Sequence, residues 1–337
     1  MKWPLKRDDT PDDVPPNSDQ PGSDRLSSDQ ASSDELNLDV PAPDELIDPD
    51  ALSPNDQTVL VVALDGFLSA GGGSRIAAEH LLSGHGDVVH SFDIDAMFDY
   101  RARRPTLRFH KDHYLDYDAP RLDVVLEHDL TGRPFFVLAG PEPDFLWERF
   151  AAEVRQVIDD LDIDLTLSLG SVPMGVPHTR PMLVTAHGTS PELIDRTNLW
   201  SAELVVPSSA QSMLEYRLGS WGHEAAGYVA HVPHYLAQVD YPGAAVVLLE
   251  AVTDRLGLQI DLTPLRERHA SAMVEIESQI EDQHGAELVS GLEQQYDAFT
   301  RGAAQSLLAS DEDLPSADEL AGQFEEYLAR QRKNGDS

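Results

Sequence analysis

The segment 58–64 reads TVLVVAL, a continuous apolar run rich in β-branched residues. A strand without polar alternation must be covered on both faces, which is typical of a parallel sheet between two layers of helices. The run passes into a glycine-rich turn at 65–73 and then into 74–82, where apolar residues recur at helical spacing. This succession predicts the first unit of an α/β domain.

The alternation of strands and helices continues to about residue 258. Strands are predicted at 87–94, 121–129, 134–139, 165–169, 182–186, 203–206 and 225–232. Helices are predicted at 144–161, at 207–218 and at 244–256, the last begun by Pro242. The glycine-containing connection at 130–133 makes its two flanking strands an antiparallel hairpin, and Asp144 is placed to cap the helix that follows. The predicted fold class is α/β, with a mostly parallel mixed sheet and helices on both faces.

The α/β core domain is expected to span 57–263. After it, 264–308 predicts a helical hairpin extension, because two amphipathic stripes are embedded in charged and amide residues. The stripes must bury against the sheet domain or against another subunit.

The two ends of the chain differ in composition from the rest. Residues 1–56 form an acidic tract of Ser, Pro and Asp, which has too few apolar residues to offset its ordering entropy and is predicted to be disordered. Residues 309–337 comprise an acidic linker and a terminal helix or tail. In that tail Leu320, Phe324 and Leu328 form a narrow apolar face suited to weak or reversible docking.

The chain is strongly acidic, with a formal net charge of −36. Its field repels phosphate backbones and anionic lipid, so we expect no nucleic-acid or membrane partner. No apolar run reaches the roughly eighteen residues of a membrane span, and no signal-peptide core follows the first lysines. No cysteine is present for a disulfide or a thiolate metal site. We therefore expect a cytoplasmic protein without a cofactor.

The turn after the first strand contains the candidate residues Gly66, Gly71 and Gly72. A strand, a glycine-rich turn and a helix start together form a geometry in which backbone amides hold an anion. The turn has neither the GK[ST] ending of a P-loop nor the GxGxxG spacing of a dinucleotide-binding fold. Tight turning and close packing of the backbone are the preferred alternative.

Arg101, Arg103 and Arg104 form the densest positive cluster in the chain. The planar fork of arginine suits carboxylate or phosphate, so these residues are candidate contacts for an anionic ligand or a partner. The preferred alternative is an internal network with the neighbouring carboxylates Asp93, Asp95 and Asp99.

The loop at 170–181 presents His178, Thr179 and Arg180 in succession between two predicted strands. Three prolines and two glycines fix its path, and a rigid backbone with a polar tip is a common carrier of functional sites. Equally, His178 and Arg180 can satisfy carbonyls or carboxylates within a packed loop.

Glu142 and His234 complete the candidate residues. Glu142 stands where a predicted strand passes into a helix, a common location for ligand contacts in open α/β sheets, although a lone carboxylate is more often a turn residue. His231 and His234 are three residues apart, but no third ligand has a fixed offset, so no metal site is predicted.

Several motifs follow one another within about 59–265. They are FDID at 92–95 with DYRARRP at 99–105, GPEPD at 140–144 with WERF at 147–150, GSVP at 170–173 with PHTRP at 177–181, and VPHY at 232–235 with YP at 241–242. Taken in this order, the series resembles the proteasome assembly chaperone 2 family, in its actinobacterial branch.

The resemblance implies a phosphorylase- or hydrolase-like three-layer α/β/α domain that forms a homo-oligomer, of which a trimer is one arrangement. It also implies a relation to chaperones that dock on proteasome α-subunits. Two departures concern function. Ser69 stands where many relatives have aspartate, and the chain ends without the hydrophobic-Tyr-x tail of proteasome-docking relatives, so insertion of its tail into a proteasome pocket is not expected.

Two hypotheses follow. The first is a non-enzymatic, homo-oligomeric interaction protein of the assembly-chaperone type with a proteasome-related partner. The alternative is a small-molecule binder or enzyme, either an ATP-dependent carboxylate-amine ligase, a label given to some family members, or a phosphorylase-like protein. Its pocket would lie at the carboxyl ends of the strands, and would require the glycine turn, the arginine cluster and the 178–180 tip to lie along one rim.

Overall fold

The computed structural model of the chain describes residues 57–84, 86–195, 198, 203–282 and 285–308. The disorder predicted for 1–56 and the terminal helix predicted within 309–337 lie outside the described residues.

Nine strands are present in the described residues. They are β1 (Val59–Asp65), β2 (Asp87–Ser91), β3 (Leu107–His110), β4 (His113–Tyr117), β5 (Asp123–His128), β6 (Pro134–Pro141), β7 (Leu165–Met174), β8 (Val184–Gly188) and β9 (Glu224–Pro233). Seven of them form one sheet in the order β2-β5-β6-β1-β7-β9-β8, and β3 and β4 form a separate hairpin.

β1 lies at the centre of the sheet and pairs in parallel with β6 on one side and β7 on the other. β7 also pairs in parallel with β9. Antiparallel pairs extend the sheet to both edges, β5 with β6 and β2 with β5 at one edge, and β8 with β9 at the other. The predicted α/β fold with a mixed, mostly parallel sheet and an antiparallel hairpin at 121–139 is confirmed.

Helices cover both faces of the sheet. They are α1 (Gly73–Leu81), α2 (Ile94–Met97), α3 (Trp147–Asp160), α4 (Ala210–Ser220), α5 (Pro242–Leu256), α6 (Thr263–Asp282) and α7 (Ala286–Leu308). The two amphipathic helices predicted after the core domain correspond to α6 and α7. None of the helices in the described part of the chain is both long enough and apolar enough to cross a membrane.

The alternating side chains of β1 divide the core into two halves. Val61 and Ala63 pack in the half that contains α1, α5 and α6, whereas Leu60 and Val62 pack in the half that contains α3 and α4. All four are at most 1% exposed, and burying a valine or leucine side chain contributes about 1.5–3 kcal/mol. A strand apolar on both faces is therefore required at this position.

The carboxyl ends of β1 and β6 form a topological switch point. The chain leaves β1 into α1 on one face of the sheet and leaves β6 into α3 on the other. Because adjacent strands lead to helices on opposite faces, a crevice opens between their ends, and open α/β sheets bind ligands in such crevices.

One predicted strand, at 203–206, is wrong. The segment has no strand pairing in the described residues, and Leu204, Val205 and Val206 are all exposed. An apolar, β-branched run becomes a strand only where a neighbouring strand supplies hydrogen-bond partners, and no strand among the residues that the structure describes pairs with this run.

Three further details of the sequence prediction need correction. α3 begins after Leu146 in the left-handed region, without a side-chain cap, so Asp144 does not cap it. β7 runs on to Met174 because β9 pairs with it along its whole length, which shortens the predicted 170–181 loop. The hairpin of β3 and β4 was not predicted, since its residues alternate without burying a face.

Candidate functional site

The carboxylate of Glu142 lies in the switch-point crevice and binds both walls. Oε2 accepts a hydrogen bond of 2.6 Å from the backbone N–H of Phe67, in the turn after β1. Oε1 accepts another of 2.6 Å from the N–H of Ala210, the first residue of α4, where free N–H groups and the helix dipole favour an anion. Glu142 therefore links the two walls, and both of its oxygens are used within the protein.

Gly66 makes room for this carboxylate. A Cβ at position 66 would lie 2.0 Å from Glu142 Oε2 and 2.4 Å from Glu142 Cβ, which no packed structure allows. Close approach to Glu142 therefore explains why this position is glycine.

Arg103 is anchored by the segment that carries Glu142. Its Nη2 donates to the Glu142 carbonyl at 2.5 Å and to Asp144 Oδ2 at 2.6 Å, and its guanidinium carbon lies 4.4 Å from the centroid of the Phe98 ring. Arg103 therefore belongs to an internal network, which was the preferred alternative, but the carboxylate that pairs with it is Asp144. The prediction that Asp93, Asp95 and Asp99 supply the network is wrong.

Two of those aspartates bind locally instead. Asp99 Oδ1 accepts a hydrogen bond of 2.9 Å from the backbone N–H of Arg101. Asp95 accepts one from the hydroxyl of Tyr100, which raises the pKa of Tyr100 to about 12. The side chains of Arg101 and Arg104 are exposed and form no ion pair within the described part of the chain.

A cleft of about 520 Å³ lies between α1 and the arginine segment. Its floor is mainly apolar, and its charged lining consists of Arg75, Arg103, Arg104 and Arg121 with Asp65, Glu79, Asp118 and Asp123. Two of these arginines pair within the lining, Arg75 with Glu79 and Arg121 with Asp123. The Nε of Arg103 is buried and has no hydrogen-bond partner among the described residues. Arg103 is held by Asp144 outside this lining, so the positive group that the cleft offers an anion is the exposed guanidinium of Arg104.

The triple-glycine bend is packed rather than open. Gly71 and Gly72 have φ of +63° and +64°, a region that other residues rarely adopt. A Cβ on Gly71 would lie 3.0 Å from Tyr241 Cβ, and one on Gly73 would lie 2.6 Å from Ser171 Oγ. Side chains from β7 and the start of α5 therefore fill the space at the start of α1 that a phosphate would need.

His178 packs against Tyr235. The Tyr235 oxygen accepts a hydrogen bond of 3.0 Å from the His178 backbone N–H and lies 2.7 Å from His178 Nδ1. Burial lowers the pKa of His178 and raises the pKa of Tyr235, so both are neutral at pH 7 and the phenol can donate to the ring nitrogen. His234 is exposed and contacts Tyr235 edge-on, with 5.4 Å between ring centroids.

Thr179 and Arg180 attach this loop to α7. Arg180 pairs with Asp297 through two contacts, Nε to Oδ1 at 2.8 Å and Nη2 to Oδ2 at 3.0 Å, and its Nη1 donates to Glu293 Oε1 at 3.0 Å. Thr179 donates to the same Glu293 oxygen at 2.5 Å. The guanidinium holds the pKa of Asp297 below its ordinary value. The tip is an internal attachment point for the C-terminal helices.

The candidate residues therefore form two groups. Gly66, Arg103 and Glu142 contact one another at the end of β1 and β6, whereas the 178–180 tip contacts Tyr235 and α7. The 520 Å³ cleft is lined by Arg103 and Arg104 but by no residue of 178–180. The shared rim that the enzyme hypothesis requires is not formed around this cleft.

The sequence alone did not identify the carboxylates that pair with Arg180. Glu293 and Asp297 stand four apart on α7, where they face one arginine, and that spacing of two carboxylates was the signal available in the sequence. Within the residues that the structure describes, no cluster of three or more His, Asp or Glu side chains could hold a metal ion.

The fold and the crevice define an open α/β protein with a mixed seven-stranded sheet. The PAC2 family model matches residues 63–283. This chain belongs to the PAC2 family, the proteasome assembly chaperone 2 family that its motifs predicted.

Solved structures support the assignment. The chain is similar to a Mycobacterium tuberculosis protein of unknown function, with 44% identity and a TM-score of 0.72 over 76% of this chain and 88% of the other. A Corynebacterium glutamicum protein of unknown function is 33% identical, with a TM-score of 0.69 over 73% of this chain and 93% of the other.

A third relative carries a functional description. The Mycobacterium tuberculosis proteasome-assembly chaperone homologue is 27% identical, with a TM-score of 0.62 over 66% of this chain and 95% of the other. None of the curated proteins matches this chain.

Proposed function

We propose that this chain is a non-enzymatic, homo-oligomeric interaction protein of the proteasome-assembly-chaperone type. Membership of the PAC2 family supports the class, as does likeness to a relative described as a proteasome-assembly chaperone homologue. The internal use of Glu142, Arg103 and Arg180 supports it too, because these side chains build the fold.

The observation that carries the proposal is the hairpin of β3 and β4. Four of its large apolar side chains stand in solvent, Leu107 at 47%, Phe109 at 59%, Tyr114 at 68% and Tyr117 at 56% exposure. The Phe109 and Tyr114 rings pair across the strands with centroids 5.1 Å apart. An isolated two-stranded hairpin is only marginally stable in water, and clustered aromatic exposure marks interaction surfaces. We assign this arm, hereafter the aromatic arm, to contact with another subunit.

Charging the aromatic arm should break the oligomer. In the double variant Phe109→Asp/Tyr114→Asp two carboxylates would enter an apolar contact, so we expect monomer where the wild type gives an oligomer. Size-exclusion chromatography with light scattering at micromolar concentration measures this. Tyr216→Asp on α4 is the control, because Tyr216 is likewise an exposed aromatic residue, at 70% exposure, but lies outside the arm, so the variant should keep the wild-type mass.

The wild type, the double arm variant and Tyr216→Asp also test for binding to a proteasome α-subunit. We expect the wild type and Tyr216→Asp to co-elute with free proteasome α-subunits of their own organism. A wild type that is monomeric, or an arm variant with unchanged mass, would contradict the assignment of the arm. An oligomer that binds no α-subunit would contradict the chaperone class and leave the arm in place.

The 520 Å³ cleft favours a second candidate function, binding of a small anion. A saturating ligand at one hundred times its dissociation constant adds about 2.7 kcal/mol of stability. Thermal-shift measurements with inorganic phosphate and dicarboxylates should therefore raise the melting temperature if the cleft is a ligand site. The effect should vanish in Arg104→Ala and persist in Arg101→Ala, because Arg101 does not line the cleft. No shift with any of these anions would dismiss this candidate.

A further inference from the structure

Two histidines at the tip of the aromatic arm face each other across its turn. His110 ends β3 and His113 begins β4, and the two are paired directly across the strands. Both side chains are exposed. Their ring centroids lie 5.9 Å apart, and two imidazoles that bind one zinc ion have centroids roughly 5–6 Å apart. The two rings are therefore placed to reach one cation.

Asp112 orients one of these rings. Its Oδ1 lies 2.7 Å from His113 Nδ1. A carboxylate only accepts hydrogen bonds, so in the neutral ring Nδ1 carries the proton and Nε2 keeps a free lone pair. Metal-binding histidines commonly donate their other ring N–H to a carboxylate in this way, which fixes the tautomer and raises the basicity of the ligand nitrogen.

We propose that His110 and His113 bind a divalent transition-metal cation of the zinc type, and that the same pair from a second copy of the chain completes the site. Neutral imidazole suits zinc, copper and nickel, and structural zinc sites are almost always four-coordinate. Among the residues that the structure describes, no three His, Asp or Glu side chains form such a site within one chain. Two coordination positions are therefore left for another subunit.

This site rests on the proposed assignment of the aromatic arm to contact with another subunit, because one chain supplies only two ligands. A two-fold axis through the metal would bring the same residues of both copies together, as in any contact between identical surfaces. Four imidazole nitrogens would then surround the cation.

The charge of the chain favours a cation at such a contact. Two copies that each carry a formal net charge of −36 repel one another, and a divalent cation between their arms offsets part of this repulsion. Within the turn, Lys111 acts in the opposite sense, because its exposed ammonium group repels a cation. Arg108, the other basic residue of the arm, is paired with Asp116.

The histidine pair and the aromatic pair lie on opposite faces of the arm. His110 and His113 follow the pair of Phe109 and Tyr114 by one position in the ladder, and successive side chains along a strand alternate between faces. A metal bridge therefore forms beside the aromatic contact rather than in its place, and the two contacts can be tested separately.

Zinc titration of the full-length chain tests the site. After treatment with EDTA and dialysis at pH 7.5, competition with a chromophoric zinc indicator gives the affinity and the stoichiometry. We expect one zinc ion for two chains, and no competition from magnesium, which prefers oxygen ligands. Asp112→Asn should weaken zinc binding about 10–100-fold, because it removes only the orienting carboxylate, and His113→Ala should weaken it further.

Lys111→Gly is the matched control within the turn. Lys111 has a φ of +54°, which glycine adopts freely, and the loss of its charge should tighten zinc binding rather than weaken it. His128→Ala removes an exposed histidine at the end of β5, outside the arm, and should bind zinc as the wild type does.

Light scattering separates the metal bridge from the aromatic contact. In Phe109→Asp/Tyr114→Asp, which lacks the aromatic contact, zinc should still convert monomer to dimer, and a further His113→Ala should prevent this. A wild type that is monomeric without zinc and dimeric with it would support the bridge and contradict the aromatic contact. One zinc ion per chain with no dimer, or equal zinc affinities of the wild type and His113→Ala, would overturn the bridge and leave the aromatic contact in place.

Discussion

Glu142→Ala is expected to lower the free energy of unfolding by about 2–3 kcal/mol, since two charge-assisted hydrogen bonds are lost together. The variant leaves the N–H of Phe67 and the N–H of Ala210 without their carboxylate acceptors, in a crevice that water reaches only in part. It also separates the turn after β1 from the start of α4. Urea unfolding at pH 7.5 measures the change.

Two further variants test whether the Glu142 carboxylate holds the turn after β1 to the start of α4. Glu142→Gln keeps one acceptor oxygen but places an amide donor against the second N–H, so its stability should fall between wild type and Glu142→Ala. Gly66→Ala puts a methyl group where the Glu142 side chain lies and should destabilise by a similar mechanism. In the double variant Gly66→Ala/Glu142→Ala the two losses should add only in part, because the clash with Oε2 disappears while the close approach of the two Cβ atoms remains. Fully additive losses in the double variant, or a Glu142→Ala variant as stable as the wild type, would contradict this role of Glu142.

The sequence predicts the sheet and its helices well because each carries its own local signal. The run at 58–64 is apolar on both faces, and β1 is indeed the central strand, buried on both sides. The start of α5 at Pro242 and its end before Gly257 follow from the preference of proline for a first turn and of glycine for a left-handed cap. Such signals need no knowledge of distant residues.

The site depends on distant residues, and the sequence could not supply them. Glu142 was a plausible turn residue until the fold brought Phe67 and Ala210 to its two oxygens. Arg180 could have faced a ligand until α7 placed Asp297 against it. Glu142 and Arg180 both looked like candidate ligand contacts in the sequence, but both bind other parts of the protein. The partner of a charged side chain at the edge of the sheet is set by the tertiary fold, which the local sequence does not reveal.

Two apolar segments stay exposed in the fold and point to contacts outside this chain. Residues 203–206 satisfy every local criterion for a strand, yet no strand in the described part of the chain pairs with them. The aromatic arm has weak alternation and still forms a hairpin whose rings face solvent. Local propensity and final burial disagree at these places, and such disagreement is typical of surfaces that contact another chain.

Acid should destabilise the protein through His231, which is 4% exposed. Its Nε2 lies 2.8 Å from Thr185 Oγ1, and burial lowers its pKa from 6.5 to about 4. The folded state therefore binds fewer protons than the unfolded state. The stabilising contribution is complete above pH 6.5 and is lost as the pH falls toward 4. Between pH 7.5 and pH 5 this one group should remove about 2 kcal/mol from the free energy of unfolding.

The comparison with His231→Gln isolates this effect from the titration of the carboxylates and of the other histidines, which both proteins share. Glutamine can keep a hydrogen bond to Thr185 but does not titrate. We therefore expect the variant to lose about 2 kcal/mol less than the wild type between pH 7.5 and pH 5, measured by urea unfolding at both values. An NMR titration should place the imidazole pKa well below 6.5 in the folded wild type. Equal losses in the two proteins would mean that the pKa of His231 is the same in the folded and unfolded states, which would contradict this prediction.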